Sequence, residues 1–123
     1  MNQHKFSLET QRELESFLEK TKLWKDIFSF KIEFYFDGWA VFLKKNHIYP
    51  KCIVVFRSYE TGLYSIRSYE IHLDNLNKEE YQEKNFVGNI ENETELIKEL
   101  KAIIYGKDLR EKVRKINQKT FTA

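Results

Sequence analysis

The stretch that most constrains the fold is residues 30–45, FKIEFYFDGWAVFLKK, where apolar and polar side chains alternate on both sides of Asp37-Gly38. Such alternation is typical of strands with one buried face, and Asp-Gly is a preferred two-residue hairpin turn. A type I′ turn at Asp37-Gly38 predicts three apolar pairs on one face, Phe36 with Trp39, Phe34 with Val41 and Ile32 with Leu43. The other face receives a mixed set that includes Tyr35 and Phe42. The sequence therefore predicts a hairpin with one core face and one face near water.

A second hairpin follows in residues 51–73. The apolar run CIVVF at 52–56 is typical of a central strand that is covered on both faces. Glu60-Thr61-Gly62 predicts a three-residue loop with Gly62 in the left-handed conformation, because β-branched Thr61 resists a positive φ. That loop would place Phe56 opposite Ile66.

On this register a tetrapeptide that occurs twice, RSYE at 57–60 and at 67–70, places its Arg and Tyr side chains on one sheet face. The residues gathered there are Arg57, Tyr59, Arg67 and Tyr69. Chance repetition in a Tyr-rich strand pair is the alternative explanation, since two copies are too few for a structural repeat.

Helices are predicted on either side of the strands. Ser7 is a suitable N-cap for an amphipathic helix over residues 8–22, and Trp24 after it is expected in the core. Asn77 has the cap spacing of a short acidic helix to about residue 84, and residues 86–90 fit either a fifth short strand or a packed loop. Asn92 begins a helix with an apolar stripe that ends at Gly106, followed by a basic C-terminal helix or tail at 107–123.

The fold class that these patterns predict is α+β, in a single domain over residues 1–123. Its elements are an N-terminal helix, a four-stranded antiparallel meander with a fifth strand left open, and C-terminal helices packed on one face of the sheet. Helices on one face are the two-layer solution for consecutive long strands.

Composition excludes several function classes. The single cysteine, Cys52, excludes an internal disulfide framework, and with no signal-like or membrane-spanning apolar run we expect a cytoplasmic protein without a membrane partner. Within an apolar strand Cys52 is expected to be an inert hydrophobe rather than a nucleophile. The three histidines lack the spacing of metal sites, and four scattered glycines make no phosphate-binding loop, so we predict no metal and no cofactor.

By exclusion, the sequence favours a non-catalytic protein-interaction module, such as a small inhibitor, immunity or anti-defence protein. Its partner would be another protein or a second copy of itself. Aromatic and Arg side chains are the types that dominate interfaces. The predicted partner-binding residues are Tyr35, Phe42, Arg57, Tyr59, Arg67 and Tyr69.

Two alternatives use overlapping residues. A nucleic-acid-binding protein would stack bases on the Arg and Tyr face and neutralise phosphates with Arg57, Arg67, Lys107, Arg110, Arg114 and Lys115. A small metal-free ribonuclease would use Glu70 and His72 for proton transfer and Arg57 and Arg67 for phosphate charge. Strand parity argues against the ribonuclease, because Arg67 faces away from Glu70 and His72.

Overall fold

The computed structural model describes residues 7–47 and 50–106. A helix, α1 (Leu8–Thr21), and a 3₁₀ turn (Lys22–Trp24) precede five strands, and a C-terminal helix, α2, covers residues 93–106. The strands are β1 (Ser29–Tyr35), β2 (Gly38–Lys45), β3 (Lys51–Ser58), β4 (Tyr64–Leu73) and β5 (Glu79–Ile90). They form one antiparallel sheet in the order β1-β2-β3-β4-β5. The predicted α+β meander is confirmed, with five strands rather than four.

Both helices begin at the predicted caps. The Thr10 amide donates to Ser7 Oγ at 3.1 Å, and the Glu95 amide donates to Asn92 Oδ1 at 2.9 Å. Each bond satisfies an amide that the first helical turn leaves unpaired. Trp24 has no exposed surface, as predicted.

The turn of the first hairpin lies one residue earlier than predicted, which shifts the pairing of its strands by two residues. Tyr35 lies opposite Gly38 and Phe34 opposite Trp39, so the turn is Phe36-Asp37 and the predicted Asp37-Gly38 turn is wrong. Gly38 instead begins β2, where a Cβ atom would overlap the carbonyl oxygen of Arg57 on β3. Phe36 is therefore fully exposed at the turn rather than buried. A shift of two residues keeps each side chain on its predicted face. Ile32 on the edge strand β1 is nevertheless 39% exposed and is not in the core, contrary to the prediction.

In the second hairpin the pairing of β3 with β4 differs from the prediction by one residue, which has a larger effect because it changes the face on which side chains lie. Ser58 N donates to Leu63 O at 3.0 Å and closes a four-residue loop over 59–62 instead of the predicted three-residue loop. Within it the Gly62 amide donates to Ser58 O at 3.0 Å, and Gly62 has the predicted positive φ of 71°. Val55 consequently lies opposite Ile66, and Phe56 opposite Ser65. An odd shift exchanges the faces of β4 relative to β3.

The predicted acidic helix near Asn77 is wrong, because residues 79–90 form β5. Asp74 organises a tight turn in its place, with Oδ1 accepting from the amides of Leu76 and Lys78 at 2.8 Å each. Asn77 has a φ of 62° and serves as a left-handed turn residue, which Asn tolerates, rather than as a helix cap. Residues 86–90, which fitted either a short strand or a packed loop, form the end of this long strand.

One hydrophobic core cluster contains buried residues from both helices and from the sheet. It contains Leu14 and Phe17 of α1, Leu96 and Leu100 of α2, and a set of fully buried sheet residues, Trp39, Val41, Leu43, Ile53, Val55 and Ile66. The predicted basic segment 107–123 lies outside the described residues. No helix within the described residues is long and apolar enough to cross a membrane.

Candidate interaction surface

The sheet has two chemically different faces. One face, here called the core face, carries Trp39, Val41, Ile53, Val55 and Ile66 into the core cluster. Side chains alternate along each strand, so the residues between these point to the other side. That second side, here called the open face, carries aromatic side chains from all five strands: Tyr35, Phe42, Phe56, Tyr69, Tyr81 and Phe86. None of these six belongs to the core cluster.

The open-face aromatics pair across strands and remain accessible. The rings of Tyr35 and Phe56 lie 6.4 Å apart, and those of Tyr69 and Tyr81 lie 6.2 Å apart in an edge-to-face arrangement. Tyr35, Tyr81 and Phe86 are 40%, 47% and 54% exposed, respectively. Ring pairs of this kind hold their side chains in fixed orientations.

Two adjoining concavities lie along the open face. One, of about 630 Å³, is lined by residues that include Phe42, Val54, Tyr69 and Tyr81. The other, of about 380 Å³, shares Phe42 and Val54 with the first and extends to Tyr35. Together they run from the β1–β2 turn towards β5 along the middle of the sheet.

The cations on the open face are each matched by a carboxylate. Lys31 Nζ lies 3.0 Å from Glu33 Oε1, and Arg67 Nη1 lies 2.6 Å from Glu83 Oε1. The Arg67 guanidinium also lies 4.4 Å from the centre of the Phe86 ring, a cation–π distance.

Lys44 follows the same pattern, with Nζ 2.9 Å from Glu79 Oε1. This hydrogen bond, together with one that Lys44 donates to the Tyr81 hydroxyl, raises the pKa of Lys44, and the bond to Lys44 lowers the pKa of Glu79. The open face is therefore aromatic and nearly charge-balanced.

Cys52 lies on the open face and lines the larger concavity, but it is only 5% exposed. Burial raises the pKa of its thiol. A neutral thiol is a weak nucleophile, which agrees with the expectation that Cys52 behaves as a small hydrophobe.

The structure brings together four of the six predicted partner-binding residues. Tyr35, Phe42, Arg67 and Tyr69 are on the open face, whereas the four-residue loop moves Arg57 to the core face, opposite Tyr64. The prediction that Arg57 and Arg67 share a face is therefore wrong.

Arg57 and Tyr59 have structural contacts instead. The Arg57 Nη2 atom donates to Glu13 Oε2 of α1 at 2.6 Å, and the guanidinium lies 4.6 Å from the centre of the Tyr64 ring. Tyr59 packs against the core cluster, and its amide donates to Asp37 O at 2.9 Å.

Among the described residues, those of the alternative functions are not brought together on one face. His72 Nε2 lies 3.5 Å from Glu70 Oε1, but Arg57 lies at the far end of the sheet and Arg67 on the opposite face. The tail residues of the nucleic-acid hypothesis, Lys107, Arg110, Arg114 and Lys115, lie outside the described residues. In residues 7–47 and 50–106, no three His, Cys, Asp or Glu side chains form a group that could hold a metal ion.

Sequence reasoning missed three open-face aromatics, Phe56, Tyr81 and Phe86. Phe56 was assigned to the core with the incorrect register of β3 and β4. The sequence assigns neither Tyr81 nor Phe86 to a sheet face, because it predicts a helix to about residue 84 and leaves 86–90 open between a strand and a loop. The segment YQEKNF at 81–86 has no apolar alternation, and Tyr81 and Phe86 reach the same face only because the pairing of β4 and β5 shifts between Ser68 and Tyr69.

Comparisons with protein-family models, with curated proteins and with solved structures each find no match.

Proposed function

We propose that this protein is a non-catalytic interaction module that binds a protein partner through its open face. The observation that carries the proposal is that six aromatic side chains, from all five strands, lie together on the face away from the core cluster. Exposed apolar patches of this kind are typical of protein-binding sites. A rigid sheet also presents them at little entropic cost, since cross-strand ring pairs already fix their orientations.

The proposal includes both helices lying on the core face, which leaves the open face available. Phe17 of α1 supports this arrangement, because its ring lies 6.1 Å from that of Trp39. The two helices are also bonded to each other, since Ser16 Oγ donates to Glu93 Oε1 at 2.8 Å. Trp24 Nε1, just after α1, donates to the Tyr105 hydroxyl of α2 at 2.6 Å.

The charge pattern favours a protein over a nucleic acid. Lys31, Lys44 and Arg67 each have a carboxylate within 3.0 Å, so a phosphate would have to displace Glu33, Glu79 or Glu83 to reach them. Nucleic-acid sites instead present unpaired cations that release counterions on binding. Tyr and Arg beside aromatic concavities are the side chains that carry most of the affinity in protein interfaces.

Within this proposal the protein belongs to the class of small binding proteins such as inhibitors, immunity or anti-defence proteins. It would act in the cytoplasm, in keeping with its single cysteine. Its activity would be to cover a surface of its partner.

The test is site-specific photo-crosslinking of the full chain in the cells that produce it. A photoreactive amino acid would replace Tyr81, which is 47% exposed on the open face, or Leu23, which is 57% exposed beside α1. We expect position 81 to give one dominant protein adduct that position 23 does not give. Equal labelling at both positions, or none at 81, would contradict the proposal. A nuclease-sensitive adduct at 81 would support nucleic-acid binding instead.

Once the adduct is identified, affinity for the purified partner provides the quantitative measurement. Tyr81→Ala should weaken binding by about tenfold or more, as expected for an interface aromatic, and Leu23→Ala should leave it unchanged.

A further inference from the structure

The β1 strand is an edge of the sheet and pairs only with β2 among the described residues. An edge strand presents every second backbone N–H and C=O to a possible partner strand. β1 has no proline, and its seven pairs with β2 run without a register shift. Ile32 and Tyr35 on this strand are 39% and 40% exposed.

The opposite edge has the features that prevent strand addition. The pairing of β5 with β4 is interrupted by two register shifts, and its acidic residues include Glu79, Glu80 and Glu83. Bulges and charges are the usual protection of a sheet edge. The two edges therefore differ, and β1 is the one built to accept a strand.

The sequence of β1 identifies the strand that it would accept. The strand SFKIEFY is nearly symmetric about Ile32 in residue type. Lys31 and Glu33 lie one residue to either side of Ile32, and Phe30 and Phe34 lie two residues to either side. Two copies that pair antiparallel about a two-fold axis at Ile32 place Lys31 opposite the partner's Glu33 and Phe30 opposite the partner's Phe34. Each pair occurs twice, and Ile32 meets its own copy. Opposite charges and apolar side chains are the favourable cross-strand pairs.

We propose that the protein forms a homodimer through its β1 edges, in the register centred on Ile32. The two five-stranded sheets then become one continuous sheet, which is an isologous two-fold interface. The Lys31–Glu33 pair of each chain, 3.0 Å apart, is replaced by a pair between chains, so the dimer has two such pairs, as the two separate monomers do. The open faces of both subunits become parts of one surface. The interface uses the strand edge and does not depend on what the open face binds.

The test is the mass of the full chain in solution, measured by analytical ultracentrifugation over a range of concentrations up to millimolar. We expect a dimer with twice the chain mass of 15.0 kDa. Lys31→Glu and Glu33→Lys should each raise the dimer dissociation constant by about tenfold or more, because two like-charge pairs replace two opposite-charge pairs. Circular dichroism would verify that each variant is folded.

Mixing the two single variants gives the decisive measurement. In the mixed dimer the two acidic side chains of one variant lie opposite the two basic side chains of the other, so heterodimers should form at concentrations where each variant alone dimerises poorly. The double variant with both charges exchanged should dimerise like the natural chain. Ile32→Lys, which places two cations at the two-fold axis, should abolish the dimer.

Three results would overturn the proposal. They are a natural chain that remains monomeric at every concentration, single variants that retain the natural dissociation constant, and a mixture that does not associate. The dimer test and the crosslinking test fail separately, since Tyr81 lies on β5 at the opposite edge.

Discussion

Phe17 and Phe36 have identical side chains in opposite environments. Phe17 has no exposed surface and its ring contacts that of Trp39, whereas Phe36 at the β1–β2 turn is fully exposed. Both residues lie within alternating or periodic apolar patterns, so the pattern alone predicted a core position for each. The difference arises from Gly38, whose close approach to the Arg57 carbonyl places it in the strand and leaves Phe36 in the turn.

We predict that Phe17→Ala lowers the free energy of unfolding by about 3 to 5 kcal/mol, because it leaves a cavity in a closed core. The matched variant Phe36→Ala should change it by less than about 0.5 kcal/mol, as at other exposed positions. Urea denaturation followed by tryptophan fluorescence measures both. A large loss of stability in Phe36→Ala would mean that the turn is at Asp37-Gly38 after all.

At the scale of elements, Glu13 links α1 to two strands. Its Oε2 accepts from Arg57 Nη2 of β3 at 2.6 Å, and its Oε1 accepts from Trp39 Nε1 of β2 at 3.4 Å. The Glu13 and Arg57 side chains are only 20% and 18% exposed. The Arg57 guanidinium also donates to the Gly62 carbonyl oxygen, so one side chain connects α1, β3 and the loop after it. Arg57 therefore has structural contacts on the core face, away from the open face that carries Arg67.

A double-mutant cycle should measure this link. We expect Glu13→Ala and Arg57→Ala each to reduce the free energy of unfolding, with a coupling energy of about 1 to 3 kcal/mol, because half-buried charges in direct contact interact strongly. The control cycle uses Glu19 and Lys22, whose atoms also lie 2.6 Å apart but whose side chains are 68% and 60% exposed. Solvent screens that pair, so its coupling should be much smaller than that of Glu13 and Arg57. Equal coupling in the two cycles would show that burial does not strengthen the Glu13–Arg57 pair.

For the whole molecule, the order of strands determines where stability is concentrated. Strands β2 and β3 each have a hydrogen-bonded neighbour on both sides, and Val41, Leu43, Ile53 and Val55 within them have no exposed surface. In contrast, residues 79–86 of the edge strand β5 are exposed throughout. Regions with many buried contacts open only in global unfolding, whereas exposed edges open locally.

Amide hydrogen exchange should reproduce this order. We predict the slowest exchange for the amides of β2 and β3, and exchange at least about tenfold faster in the first half of β5, because local opening requires less free energy there. Mass spectrometry of peptic fragments measures both in one experiment. Equal protection in β3 and β5 would contradict the strand order.

The sequence by itself determined the elements whose cause is local. Ser7 and Asn92 cap the helices through side chains three residues from the amides that they bind, and strand alternation assigned Tyr35, Phe42 and the even positions of β1 to their faces. Such patterns depend only on near neighbours, so they can be recognised without knowing the fold. Tyr35 and Phe42 were assigned to the open face for this reason.

Only the tertiary structure decided the strand registers, because the residues whose contacts set each register are far apart in the chain. The Tyr59 amide donates to the carbonyl of Asp37, and Gly38 is required by the Arg57 carbonyl. These contacts between the two hairpins favour the four-residue loop at 59–62 and the turn at Phe36-Asp37. Arg57 therefore pairs with Glu13 on the core face, whereas the sequence predicted it on the open face. A one-residue change in register reverses every side chain of a strand, so this long-range hydrogen bonding, rather than composition, determined which residues form the candidate surface.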